Sequence, residues 1–326
     1  HIINPFEKFA EYMALALHSP AAYNLLLWLT GLPGTTVTRH REPPKGKWVL
    51  CGYGAFGKVM TRALENAGLP VTIIDRAAPL APDHTWYKGD GTGADALAAA
   101  GIGEAVGIVA ATASDVNNLS TVVTAKQLNP ALFTVLRQNH VANRTLFDAF
   151  ESDFAMVPAE IVAHECLAIL TTPLLTPFLD RVRSADDTWA GALLEALTGR
   201  FGWDVPCVWS VSINLLQSPA VYRVMMRHEA RLTLSALLRA PVTDRPPLAC
   251  TPLLLLREGD APRYLPEGGL EIRLGDQLLF VGTEEARRDL GMTLFNGHTL
   301  QFVLTGRDLP GGMIWEWLAQ RREARG

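Results

Sequence analysis

Gly52, Gly54 and Gly57, in the run Trp48-Val49-Leu50-Cys51-Gly52-Tyr53-Gly54-Ala55-Phe56-Gly57, are spaced as GxGxxG, and Asp75 closes the next apolar run, Val71-Thr72-Ile73-Ile74-Asp75. These residue types in this order can hold the pyrophosphate and ribose of an adenine nucleotide. The first glycine takes turn angles closed to other residues, the second removes a Cβ that would block the phosphates, and the third lets a helix lie close on the strand. Unpaired N–H groups at the start of that helix face the anion. The Asp75 carboxylate can accept from a ribose 2′-OH and repels a 2′-phosphate, although neighbouring Arg76 weakens that repulsion. Gly52, Gly57 and Lys58 also satisfy GxxxxGK, but Val59 stands where a phosphate loop places the hydroxyl that meets magnesium. Rossmann-type binding without a metal is therefore the favoured reading.

Such a site needs a sheet to carry it. Val59, Met60, Ala63, Leu64 and Ala67 give one apolar helix face, and Gly68 is a natural stop. Strands are predicted at Thr85–Lys88, entering Gly89-Asp90-Gly91-Thr92, at Val106–Ala111, ending at Thr112, and at Leu132–Leu136, ending at Arg137. Helices are predicted at Ala94–Ala100, Val116–Leu128 and Val141–Phe150. The alternation gives an α/β fold, a Rossmann-type doubly wound parallel sheet over residues 47–156. Ligands in such sheets sit beyond the carboxyl ends of the strands. The candidate cofactor-binding residues are therefore Gly52, Tyr53, Gly54, Ala55, Phe56, Gly57, Asp75, Arg76, Asp90, Gly91, Thr92, Ala111, Thr112 and Arg137. Arg137 suits a charge-assisted phosphate contact or, equally, a surface ion pair with an acid.

Composition restricts the partners. A net charge of −4 with no basic stripe excludes nucleic acid as an expected partner. Cys51, Cys166, Cys207 and Cys250 form no CxxC pair, which favours a reducing, cytoplasmic setting. The longest apolar stretch, Ala21 to Leu32, is interrupted by Asn24 and Thr30 and is too short to span a bilayer, and the N-terminus lacks signal-peptide features.

An enzyme would need an acid, a base or a nucleophile in a recognisable setting. His228 and His298 have none, His164-Glu165-Cys166 points in different directions around a helix, and no GxSxG occurs. No catalytic or metal residue is expected, and an NAD-dependent oxidoreductase remains the alternative. A purely structural module with a lapsed nucleotide site is a third reading.

The ordered segments GYGAFG, Asp75, GDGT, AATASDVNNLSTVVTAKQLNP, VLRQNHVAN and SDFAMVPAEIVAHECLA resemble the RCK (TrkA-N) domain that regulates potassium channels and transporters. A looser stretch, from Leu253-Leu254-Leu255-Leu256-Arg257 to Leu274-Gly275-Asp276-Gln277-Leu278-Leu279-Phe280-Val281-Gly282, resembles the smaller TrkA-C domain. The resemblance implies NAD or NADH as the ligand, or alternatively ATP, ADP or AMP. It implies a potassium channel or transporter membrane subunit as partner, and a location at the inner face of the cell membrane. It also implies a crossover helix at 157–184 that pairs subunits into a homo-oligomer, a dimer or a ring of dimers. Calcium-gated members carry carboxylates where this chain has Arg137 and Asn139, so no calcium site of that kind is expected.

Pro5–Pro20 laid over Pro158–Pro173 matches at Pro5, Glu7, Ala10, Leu17 and Pro20. Residues 1–30 are accordingly expected to be the crossover helix of a preceding RCK module, in a segment cut from a longer tandem protein, with 31–46 as linker. Val162, Cys166, Ile169, Leu170, Leu174, Leu175, Phe178 and Leu179 form apolar stripes suited to an interface, or to burial within the chain. Residues 185–291 read as an α+β domain. Its helices fall at Trp189–Thr198 and Ala220–Met226, and its strands at Val205–Val211, Leu232–Leu238, Leu253–Arg257 and Gln277–Val281. The extension 292–326 is assigned a strand at Thr299–Thr305 and a helix carrying Ile314, Trp315 and Trp317.

Overall fold

The computed structural model describes residues 3–37, 41–77, 84–150, 152–163, 172–227, 231–242 and 245–306. The chain begins with α1 (Pro5–His18) and α2 (Pro20–Thr30), followed by β1 (Trp48–Cys51), α3 (Ala55–Asn66), β2 (Val71–Asp75), β3 (Thr85–Lys88), α4 (Ala94–Ala99), β4 (Gly107–Ala110) and α5 (Asp115–Leu128). Next come β5 (Phe133–Arg137), α6 (Arg144–Asp148), β6 (Phe154–Met156), α7 (Leu175–Ser184) and α8 (Asp187–Phe201). These elements are followed by β7 (Cys207–Ser212), α9 (Pro219–Met226), α10 (Leu234–Leu237), β8 (Cys250–Leu256), β9 (Arg263–Tyr264), β10 (Gln277–Gly282), α11 (Glu284–Phe295) and α12 (Gly297–Thr305). Two units divide the chain: His1–Gly31, Thr36–Leu167 and Val182–Trp203 form the first, and Leu32–Thr35, Ala168–Arg181 and Asp204–Gly326 the second.

The first unit is built on a six-stranded sheet in the order β3-β2-β1-β4-β5-β6, with every pair parallel. Alternate residues face opposite sides of it. Trp48, Leu50, Ile73, Val109, Phe133 and Val135 pack on one side with Phe9 and Met13 of α1 and with Phe56, Met60 and Leu64 of α3. Val49, Cys51, Ile74, Ile108, Ala110 and Leu136 pack on the other with Leu97 of α4 and Val122 and Ala125 of α5. Because helices cover both faces, the strands read as unbroken apolar runs rather than alternating ones. This is the Rossmann-type parallel sheet expected for residues 47–156, with β6 as an additional edge strand. The helix predicted at Val141–Phe150 is shorter, a single turn at Val141–Asn143 leading into α6.

Within the stretch expected to be one crossover helix, residues 5–30 form two helices. Pro20 has no N–H to continue the ladder, Ser19 leaves the helical region at φ −145°, and its N–H closes α1 on the Leu15 carbonyl. Asp187 fixes the corner from α8, accepting from the Ser19 hydroxyl and the Ala21 N–H, both at 2.8 Å. α2 then lies along α8, and Trp28 stacks on Phe201. Pro5 and Pro158 each open a helix, the second described over 158–163. Cys166, Ile169 and Leu170 lie outside the described residues, as do His164 and Glu165. Leu174, Leu175, Phe178 and Leu179 are buried within this chain, so the second apolar stripe is not open to a partner.

In the second unit a four-stranded antiparallel sheet, β7-β10-β8-β9, packs against α9 to α12 around Trp209, Ile213, Leu255, Leu278, Phe280 and Leu290. The Gly275-Asp276 turn is locked from beneath. Asp276 is fully buried and accepts from Arg257 Nε at 2.8 Å and from a terminal Arg257 nitrogen at 2.9 Å. The α+β expectation holds from residue 204 onward, whereas the helix expected in this domain at Trp189–Thr198 is α8 of the first unit; two local corrections also apply. The apolar run Leu232–Leu238 is the helical turn α10 rather than a strand, because the Thr233 side chain caps the Ala236 N–H. Thr299–Thr305 belongs to α12: Asn296 caps the His298 and Thr299 N–H groups, Leu300 and Val303 face inward one turn apart, and left-handed Gly306 ends the helix. The helix expected around Ile314, Trp315 and Trp317 lies outside the described residues.

Candidate nucleotide site

The strand order turns outward in both directions from β1 and β4, and a crevice opens beyond the carboxyl ends of such a pair. A cleft of about 490 Å³ lies there. β1 delivers Gly52 to its floor at φ +100°, an angle that suits glycine, and a Cβ at this position would come within 2.9 Å of the Thr112 nitrogen. Gly57 sits in the first turn of α3, where a Cβ would stand 2.0 Å from the Gly52 carbonyl oxygen. Gly54 is the N-cap of α3; no side chain caps that helix, and a Cβ on Gly54 would meet no protein atom within 4 Å. The open approach at Gly54 and the uncapped N–H groups behind it are what a phosphate requires.

Asp75 braces this loop. Its Oδ2 accepts the Tyr53 N–H at 2.6 Å and its Oδ1 accepts the Ala77 N–H at 2.9 Å, so the carboxylate is held in place with lone pairs to spare for a ribose hydroxyl. Arg76 pairs with Asp90 at 3.4 Å. The Thr92 hydroxyl and N–H, and then Arg76, hold the Asp90 carboxyl below the usual carboxylate range. Burial, with Asp90 adding to it, pushes the Cys51 thiol up to about 12, so Cys51 is an uncharged core residue behind the cleft rather than a nucleophile.

Of the sequence-predicted residues, Gly52, Gly54, Ala55, Asp75, Arg76, Asp90, Ala111, Thr112 and Arg137 line the cleft. Tyr53, Phe56, Gly57, Gly91 and Thr92 do not. The Tyr53 ring packs edge-on to Trp86, and Phe56 is fully buried against Phe6 and Phe9. Gly57 sets the helix–strand approach, Gly91 turns at φ +75° over Cys51, and Thr92 anchors Asp90. Ile74, Gly89, Ala113, Ser114 and Asn117 line the cleft without having been expected there. No His, Lys, Tyr or Cys lies among the described residues that line it.

The far wall is tied by two buried polar side chains. Asn118 accepts the Thr112 N–H at 2.9 Å and the Thr112 hydroxyl at 2.6 Å, and donates to the carbonyls of Thr112 and Arg137 at 3.0 and 2.7 Å. It thereby joins the ends of β4 and β5. Asp115, at the start of α5, accepts from the Asn139 N–H and amide, the His140 N–H and the Asn143 amide. Burial alone would push its carboxyl up, but these donors outweigh burial and hold it below the usual range. Arg137 projects from the end of β5 beside this network. Among the described residues it has no carboxylate in ion-pair contact, and burial pulls its guanidinium below the ordinary arginine value against the attraction of Asp115.

The family profile for the TrkA-N domain covers residues 48–158, the strands, helices and cleft just described. This segment is a TrkA-N domain. Across 147 residues the chain is 26% identical to Potassium channel protein 1 of Methanocaldococcus jannaschii, over 43% of this chain and 44% of that protein. It is 29% identical over 136 residues to the Trk system potassium uptake protein TrkA homolog of Pyrococcus abyssi, over 38% of this chain and 60% of the relative. Among solved structures, the GsuK RCK domain aligns at 22% identity with a TM-score of 0.38, over 82% of this chain and 48% of that one. The chain thus spans less than two thirds of the length of each of these proteins. No helix among the described residues is long and apolar enough to cross a membrane.

Proposed function

We propose that the TrkA-N domain binds an adenine nucleotide and that the chain is a nucleotide-sensing regulatory module of a potassium channel or transporter. The observation that carries the ligand class is the cleft beyond β1 and β4, which an open Gly54, an uncapped helix start and the braced Asp75 carboxylate line together. NAD or NADH is the ligand of first choice, with ATP, ADP and AMP as alternatives. The transport assignment draws on the TrkA-N match and on relatives named as potassium channel and potassium uptake proteins.

On this reading the second unit is TrkA-C-like. The protein acts at the inner face of the membrane as a homo-oligomer. A nucleotide with different affinities for two arrangements of the paired modules then biases the potassium pathway. A tenfold bias needs about 1.4 kcal/mol of differential binding, which phosphate and ribose contacts can supply.

Titration of NADH and ADP into the chain and its Asp75→Ala variant tests the pocket. The variant loses both the ribose acceptor and the brace on Tyr53, and its affinities should fall at least about tenfold, the equivalent of one charged hydrogen bond. Equal affinities in the two proteins would remove the cleft as the binding site.

A further inference from the structure

Arg137 enters the cleft wall with its Nε buried and without a hydrogen-bond partner among the described residues. What it does touch is a ring. The guanidinium carbon stands 4.8 Å from the centroid of Phe6, in the first turn of α1 and outside the TrkA-N segment. Phe6 is itself fixed, since the Asn4 side chain caps its N–H at 3.1 Å and its ring packs 5.7 Å from Phe56 in the first turn of α3. An aromatic face holds a guanidinium through its π cloud and leaves the in-plane N–H donors unspent. A carboxylate partner would have consumed those donors and cancelled the charge.

We propose that Phe6 is a positioning residue of the nucleotide cleft: its ring presents the Arg137 guanidinium to a bound phosphate, so that phosphate binding and the seating of α1 reinforce each other. The proposal rests on the nucleotide reading of the cleft. Through it an element lying before the TrkA-N segment becomes part of the site, and occupancy of the cleft is transmitted to α1 by linkage.

A double-mutant cycle separates this role from mere packing. ADP is titrated calorimetrically into the unaltered chain, Phe6→Leu, Phe6→Tyr, Arg137→Gln and the Phe6→Leu/Arg137→Gln pair, each first shown by melting to be folded. Phe6→Leu should weaken ADP about threefold, the scale of one cation–π contact. Phe6→Tyr, which keeps the ring, should bind as the unaltered chain does, and Phe6→Leu should cost nothing further once Arg137 is Gln. An unchanged affinity in Phe6→Leu, an equal loss in Phe6→Tyr, or the same threefold loss in the Arg137→Gln background overturns the role of Phe6. Failure of the unaltered chain to bind ADP or NADH overturns the nucleotide reading and this proposal with it.

Discussion

Two glycines three residues apart have opposite structural duties. A Cβ on Gly57 would stand 2.0 Å from the Gly52 carbonyl oxygen, whereas a Cβ on Gly54 would meet nothing within 4 Å. Gly57→Ala must therefore push α3 off β1, and overpacking of this kind costs about 1–3 kcal/mol. Gly54→Ala should leave the melting temperature nearly unchanged and, on the proposed nucleotide reading, weaken NADH and ADP, because its methyl would project into the open space assigned to the phosphates. Melting curves and titrations of the two variants distinguish these roles, and a Gly54→Ala protein that binds normally would mean that the phosphates take another path. Both glycines and Asp75 were legible in the sequence because strand, turn and helix follow one another without interruption. Ser114 and Asn117 were not, since they reach the cleft only when β4 is brought beside β1, and the buried Asn118 acts behind them by tying Thr112 to the Arg137 carbonyl. Ser114 left one usable signal, as the N-cap of the helix beginning Asp115-Val116-Asn117-Asn118.

At the scale of elements, Asp115 fastens the start of α5 to the loop leaving β5. Removing it as Asp115→Ala strands four part-buried N–H donor groups and should cost about 1–3 kcal/mol near neutral pH. The pH dependence follows from the lowered folded-state value: the carboxylate's contribution is complete above the unfolded value of about 4 and is lost as the pH falls through the lower folded value. Urea unfolding at several pH values should show the unaltered chain and the variant far apart at neutrality and converging in acid. A constant gap would mean that the Asp115 charge plays no part. The parallel strands were readable because burial on both faces gives continuous apolar runs. The same trait misled at Leu232–Leu238 and Thr299–Thr305, where capping side chains at Thr233 and Asn296 decide for a helix over β-prone composition. The break at Ser19-Pro20 was visible as a proline, but its consequence depended on Asp187, more than 160 residues later in the chain.

Over the whole molecule, the TrkA-N segment does not supply all of the cover for its own sheet. Phe9 and Met13, in a helix that precedes the segment, complete the core beneath Phe133 and Phe154. The first unit is thus a TrkA-N sheet covered in part by α1 and α2, with α8 packed on α2, and the second carries a separate antiparallel core. That division was legible as a change from alternating strands and helices to an α+β order, whereas the pairing of α2 with α8 was not, because it depends on distant residues. The measurement that bears most directly on a sensing rather than a catalytic role is thermal unfolding of the chain with NADH and with ADP, following NADH absorbance in the same sample with a panel of small carbonyl compounds present as hydride acceptors. Ligand at about 100 times its Kd should stabilise the protein by roughly 2.7 kcal/mol. The expected result is a raised transition with unchanged NADH absorbance; no shift with any adenine nucleotide, or a shift accompanied by NADH consumption, would contradict it.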